Sequence, residues 1–136
     1  LDVAVKKAGV AVETGSLPVV EAEPLQMRQL FQNLIGNAIK FRRLDTAPRL
    51  HITGEHNESG EAVLRFADNG IGIPKEYTER IFGIFERLHS HREYEGAGIG
   101  LSICKKIVEH HRGRIDVESR EGEGTSFIVT LPLRQS

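Results

Sequence analysis

The sequence predicts a mixed α/β domain built around one core, and three observations predict it. Two segments carry apolar residues at helical spacing, several short runs read as strands joined by turns, and glycines gather where these elements meet. A chain of 136 residues is close to one ordinary domain and can bury about two-thirds of its unfolded surface. Hydrophobic residues make up 39% and charged residues 27%, which fits a globular chain and argues against disorder. Lys and Arg number 18 against 19 Asp and Glu, for a net charge of −1, and the basic residues are scattered. Nucleic-acid binding through a basic face is therefore not expected. No apolar run approaches the roughly 20 residues that span a bilayer, and no signal peptide opens the chain, so no membrane contact is expected. The single cysteine, Cys104, excludes an internal disulfide and suits a reducing compartment such as the cytoplasm. The chain begins at Leu1 and its only methionine is Met27, which points to a piece of something longer.

Taken in order, residues 1–8 are compatible with the tail of a helix ended by Gly9 or with a strand. Val10–Glu13 and Val19–Ala22 read as strands around a Gly15–Pro18 turn. Pro24 suits the first turn of a helix, and Met27, Leu30, Phe31, Leu34, Ile35, Ala38 and Phe41 then follow a three-four spacing to about Arg43. Leu50–Glu55 and Ala62–Ala67 flank an Asn57–Gly60 turn as a hairpin. Pro74 to about Leu88 reads as a short helix, and residues 89–98 lack apolar periodicity and are expected to be mobile. A second strong helix runs from about Ile99 to His111, burying Leu101, Cys104, Ile107 and Val108, with Gly113 as its stop. Arg114–Ser119 and Ser126–Leu131 close the chain as a hairpin across Gly122–Gly124.

Three constellations carry chemistry. In Asp68-Asn69-Gly70-Ile71-Gly72-Ile73, a carboxylate at a strand end is placed to accept from the amino group of adenine, while the glycines let a flat ring approach the backbone. A type I′ turn on Asn69-Gly70 explains the same residues equally well. Gly96-Ala97-Gly98-Ile99-Gly100-Leu101-Ser102 opens the second long helix, where exposed N–H groups and the helix dipole make a phosphate seat. The alternative is a helix start merely softened by glycine. The dinucleotide fingerprint fails because Leu101 holds its last glycine position, and no P-loop pattern occurs anywhere. Third, Gln29, Asn33, Asn37 and Lys40 line one face of the first long helix. Asn33 and Asn37 offer neutral oxygens to a magnesium ion and Lys40 offers charge to phosphate, against the plainer reading of a solvated face. The histidines give no metal-site pattern; His110 and His111 end a helix, where a cation suits the dipole. Cys104 reads as a small core residue, and the sequon Asn57-Glu58-Ser59 stands without other signs of secretion.

In this order the motifs resemble the ATP-binding catalytic domain of sensor histidine kinases, within the Bergerat-fold superfamily of ATPases and kinases, with a phytochrome-like or PAS-linked flavour in Ile103–Glu109. Gln32–Phe41 looks like the asparagine box, Asp68–Ile73 and Gly96–Leu101 like the two glycine boxes, Phe82–Arg87 like the phenylalanine box, and Gly122–Phe127 like the terminal glycine-threonine motif. The resemblance implies a two-layer sandwich with three helices on one face of a mixed sheet of about five strands. Residues 1–136 would be a single catalytic domain, with residues 1–9 ending a connection from a preceding dimerisation domain and 83–98 forming an ATP lid.

It also implies roles. Asp68 would bind adenine with help from Thr125, and Asn37 would hold magnesium, with Asn33 and Lys40 near the phosphates. Phe41 would pack beside the base or ribose, and Arg87 would meet the terminal phosphates. Gly70, Ile71, Gly72, Ile73, Gly96, Gly98, Ile99, Gly100 and Leu101 would complete the ATP site. Magnesium-ATP would donate its γ-phosphate to a histidine on a separate dimerisation domain, with a response regulator downstream, and the domain alone would be a monomer. No acceptor pattern follows His110-His111, so the acceptor is expected elsewhere. An ATP hydrolase of the gyrase, chaperone or mismatch-repair type, a serine kinase or anti-sigma factor, and an ATP-sensing module share the fold. The hydrolases carry a water-activating glutamate where Asn33 stands, and an amide cannot act as a general base.

Overall fold

The computed structural model describes residues 11–14, 21–73 and 97–134. In chain order these form β1 (Ala11–Thr14), α1 (Pro24–Lys40), β2 (Arg49–His56), β3 (Glu61–Asp68), α2 (Ala97–His110), β4 (Arg114–Arg120) and β5 (Gly124–Pro132). The five strands make one sheet in the order β1-β2-β3-β5-β4, with β1 parallel to β2 and every other pair antiparallel. Two helices are described. The expected helix over 74–88 and the Phe82–Arg87 motif lie outside the described residues, as do residues 1–9 and all of the expected lid except Ala97 and Gly98.

Helix α1 starts where Pro24 costs no backbone bond, and the Glu23 carboxylate caps it by accepting from the N–H groups of Leu25 and Gln26 at 3.2 and 2.7 Å. It ends at Lys40, three residues short of the expected Arg43. Tertiary bonds capture the continuation: the Phe41 carbonyl accepts from Ile71 N, and Arg43 donates to the carbonyls of Asn69 and Gly122. Helix α2 starts at Ala97, two residues earlier than expected. Its stop is also displaced by one residue. Arg112 takes the left-handed conformation, at φ 63°, and Gly113 follows it, donating from its N–H to the Val108 carbonyl. In the β2–β3 hairpin, Asn57 Oδ1 accepts from the N–H groups of Ser59 and Glu61, both at 3.0 Å, as the turn reading requires. Glu21 and Ala22 lie in no strand, although Glu21 N bonds the Leu133 carbonyl.

The core forms between one sheet face and the two helices. Leu50, Ile52, Leu64, Phe66, Phe127, Val129 and Leu131 meet Leu30, Leu34, Ile35, Ala38, Leu101, Cys104, Ile107 and Val108. Phe31 packs edge-on against Phe66 with ring centroids 5.0 Å apart. The inward positions alternate on β3 and β5 and recur at three-four spacing on α1, so burial follows the patterns in the sequence. The opposite sheet face carries exposed ion pairs such as Arg65–Glu118, which contribute little to stability.

Candidate functional site

The site is built where β3 ends. Asp68 is the last residue of that strand and shares the inward register of Leu64 and Phe66. One carboxylate oxygen, Oδ1, accepts from the N–H of Gly70 at 2.9 Å and from the N–H of Thr125 at 3.2 Å. The other oxygen has no partner among the described residues. Burial raises the Asp68 pKa above its ordinary 3.8, and the two N–H bonds offset part of that rise. A partly buried carboxylate with one satisfied and one open oxygen is an acceptor poised for a donor ligand.

The loop after Asp68 is pinned on every side. Asn69 accepts from Arg49 N at 2.7 Å through its side-chain oxygen and donates to the Ala47 carbonyl at 2.9 Å. Ile71 accepts from Gly122 N at 2.7 Å, and Ile73 N donates to Ser119 Oγ at 2.7 Å. Neither Asn69 nor Gly70 has a positive φ, so the type I′ turn does not form; the left-handed residue is Gly72, at φ 76°. A Cβ on Gly72 would collide with the Arg120 carbonyl, and one on Gly124 with the Asp68 carbonyl. These glycines therefore let two protein backbones close on each other, a physical reason different from the approach of a ligand ring.

Ser119 sits at the centre of this closure. Its Oγ accepts from Ile73 N, donates to the Gly124 carbonyl at 3.0 Å and lies 2.8 Å from Thr125 Oγ1. Asp68, Ser119, Thr125, Glu118, Arg120 and Glu123 line an open cleft of about 310 Å³. That cleft does not reach Asn33, Asn37, Lys40 or Phe41 on and beyond α1.

On α1, the polar line is present. Gln29 and Lys40 are exposed, whereas Asn33 and Asn37 are half-buried. Asn33 Nδ2 reaches the Gly100 carbonyl at 3.5 Å, so it joins α1 to the first turn of α2. Asn37 Nδ2 is buried with no hydrogen-bond partner among the described residues. An orphaned amide is a cost unless something else meets it. Lys40 Nζ stands 5.9 Å from the Phe41 ring centroid.

Gly98 and Gly100 lie in the first turn of α2, and Leu101, which follows them, is buried in the core at 1% exposure. Gly96 and Arg87 lie outside the described residues. Cys104 is fully buried and its thiol is pushed up to about 12, by burial above all, which suits a core residue. His111 departs from expectation. It is buried, with Nδ1 against the Ile107 carbonyl at 2.8 Å and Nε2 accepting from Glu23 N at 3.0 Å. That pair of bonds assigns the neutral ring with its proton on Nδ1, not the cation expected at a helix end. Ser119, Asn69, Arg43 and His111 were not singled out as structural hubs by the sequence.

A mixed sheet with helices on one face, an acid ending a strand beside close-packed glycines, and an asparagine-bearing helix against a glycine-led helix define a class of two-layer α/β domain with its candidate site where β3 ends. The chain belongs to the histidine kinase-, DNA gyrase B-, and HSP90-like ATPase family, whose model matches residues 22–135. It is 47% identical over 129 residues to the phytochrome-like protein Cph1 of Synechocystis, covering 95% of this chain and 17% of that protein. It is 42% identical over 114 residues to the sensor protein kinase WalK of Staphylococcus aureus, covering 82% of this chain and 27% of that protein. Among solved structures, the catalytic domain of histidine kinase ThkA superposes with a TM-score of 0.78 at 29% identity, covering 99% of this chain and 87% of that one. The chain thus spans about a sixth of the length of a curated relative such as Cph1. Among the described residues, no helix is long and apolar enough to cross a membrane.

Proposed function

We propose that this domain binds magnesium-ATP and presents the γ-phosphate to a histidine on a separate dimerisation domain, as the catalytic part of a cytoplasmic two-component sensor kinase. The observation that carries the reading is Asp68. One of its oxygens is fixed by two backbone N–H groups, which orients the other toward a donor such as the amino group of adenine. The relatives' names support the kinase assignment over the other activities that share the family. Asn33 supports it too, since an amide holds a water without taking its proton.

Magnesium fits the residues present. No cluster of three or more His, Cys, Asp or Glu that could hold a metal occurs among the described residues. A magnesium ion that takes one protein oxygen, phosphate oxygens and waters needs no such cluster. Asn37 meets that demand: its Oδ1 would ligate the ion, and its orphaned Nδ2 would donate to a phosphate oxygen. The ion would neutralise phosphate charge. Lys40 would add a positive charge at the end of α1, Phe41 would flank the sugar or base, and the N–H groups around Gly98 and Gly100 would receive phosphate oxygens. Transfer then rests on positioning and electrostatic stabilisation, with the acceptor histidine and a downstream response regulator supplied by partners.

Calorimetric titration of the chain with ATP and GTP in magnesium buffer tests the reading. ATP should bind and GTP should bind more weakly. Absence of ATP binding by the folded chain overturns it.

A further inference from the structure

Ser119 has one hydrogen and two neighbours that could take it. The Gly124 carbonyl, at 3.0 Å, can only accept. Thr125 Oγ1, at 2.8 Å, can either accept or donate. If the Ser119 proton goes to Gly124, the Thr125 hydroxyl donates to Ser119 Oγ, which also accepts from Ile73 N. All three bonds at Ser119 are then made. If the proton goes to Thr125, the bond to Gly124 is lost. The fully bonded arrangement wins, because a polar group left unmade in a part-buried site carries a desolvation cost.

That direction has a chemical consequence. With its proton turned to Ser119, Thr125 Oγ1 can face the cleft only as an acceptor. Asp68 lines the same cleft, and as a carboxylate it also only accepts. The Thr125 N–H holds the Asp68 carboxylate in place beside the Thr125 side chain. The combined edge offers acceptors and no side-chain donor.

Building on the nucleotide reading above, we propose that Ser119 is a specificity-determining positioning residue. By holding the Thr125 hydroxyl proton, it keeps the Asp68–Thr125 edge acceptor-only and selects purines that carry an amino group at position 6 over those that carry an oxo group. The selection acts directly, the amino group meeting acceptors where the oxo group meets no donor from Asp68 or Thr125. Without Ser119, the Thr125 hydroxyl can rotate, donate, and accommodate the oxo group.

The test is the ratio of affinities for ATP and inosine triphosphate, measured on the full 136-residue chain by displacement of a fluorescent ATP analogue in magnesium buffer. Wild type should prefer ATP. Ser119→Ala should lower that preference by about threefold to tenfold, the worth of one net hydrogen bond. Ser119→Thr, which keeps the hydroxyl, should restore the wild-type ratio. Thr125→Val should lower the ratio as well, and adding Ser119→Ala to it should cause no further change, because the two act through one proton. A purely structural Ser119 would weaken both nucleotides equally and leave the ratio untouched; that result, or full additivity in the double variant, overturns the inference. A wild-type chain that binds ATP with no preference also overturns it while leaving the nucleotide site standing. A folded wild type that binds neither nucleotide overturns the reading of the site itself.

Discussion

The N–H of Thr125 donates to Asp68 Oδ1 at 3.2 Å, joining residues 57 positions apart and fixing the carboxylate that ends β3. Burying it carries a cost in stability. Burial raises the pKa of Asp68 in the folded state above 3.8, so the unfolded chain gives up this proton first as pH rises. The advantage of the protonated folded form is therefore lost as pH climbs from 3.8 to the raised value, and at neutral pH the charge destabilises the apo fold. Asp68→Asn removes the charge and keeps an oxygen to accept both N–H groups. It should melt at the same or a higher temperature than wild type without nucleotide, while ATP affinity falls about tenfold to a hundredfold. Calorimetry with and without ATP measures both, and a variant that melts lower and binds normally contradicts the assignment.

Asn37 should show its role through magnesium. Asn37→Ala removes a half-buried amide whose nitrogen has no partner among the described residues, so the apo fold should lose little. ATP affinity in magnesium buffer should fall more than affinity in EDTA. Equal losses in the two buffers would mark Asn37 as a packing residue.

His111 should matter for stability rather than for a charge at the helix end. It ties the end of α2 to the N-cap residue of α1 through the Glu23 N–H. His111→Ala should destabilise by about 1–3 kcal/mol, through the lost bonds of the ring and the lost packing of a buried side chain. His111→Gln, which can reach Glu23 N with its carbonyl, should lose less. Denaturant melts compare the two, and equal losses would show that the bond to Glu23 contributes nothing.

Cys104 should be inert in the native chain. A thiol pushed up to about 12 in a fully buried position carries almost no thiolate at neutral pH. Labelling by a thiol reagent should therefore proceed only through opening of the core. Labelling as fast as in denaturant would show that α2 does not stay packed.

Periodicity made the scaffold legible. Leu30, Leu34 and Ala38 on α1 and Leu64 and Phe66 on β3 are buried where their spacing placed them. The acid before the glycines was legible for the same reason, being a local pattern. The hubs were not, because each depends on a distant partner: Ser119 lies 46 residues from Ile73, and Arg43 lies 79 from Gly122. Ser119 did leave one local signal. It continues the inward alternation of Ile115 and Val117 on β4, where a hydroxyl is out of place unless bonded, and it stands directly across from Thr125. For α1 the helical pattern ran past its true end, since the bonds to Ile71 and Asn69 capture Phe41 and Arg43 and no local propensity encodes them.

As proposed above, this domain presents the γ-phosphate of ATP to an acceptor histidine on another domain. The direct measurement is incubation with γ-labelled ATP and magnesium, alone and together with a dimerisation domain carrying the proposed acceptor histidine. Label should appear on that partner as an acid-labile, alkali-stable product and stay absent from residues 1–136 alone. Stable label on residues 1–136 with none on the partner would contradict the account.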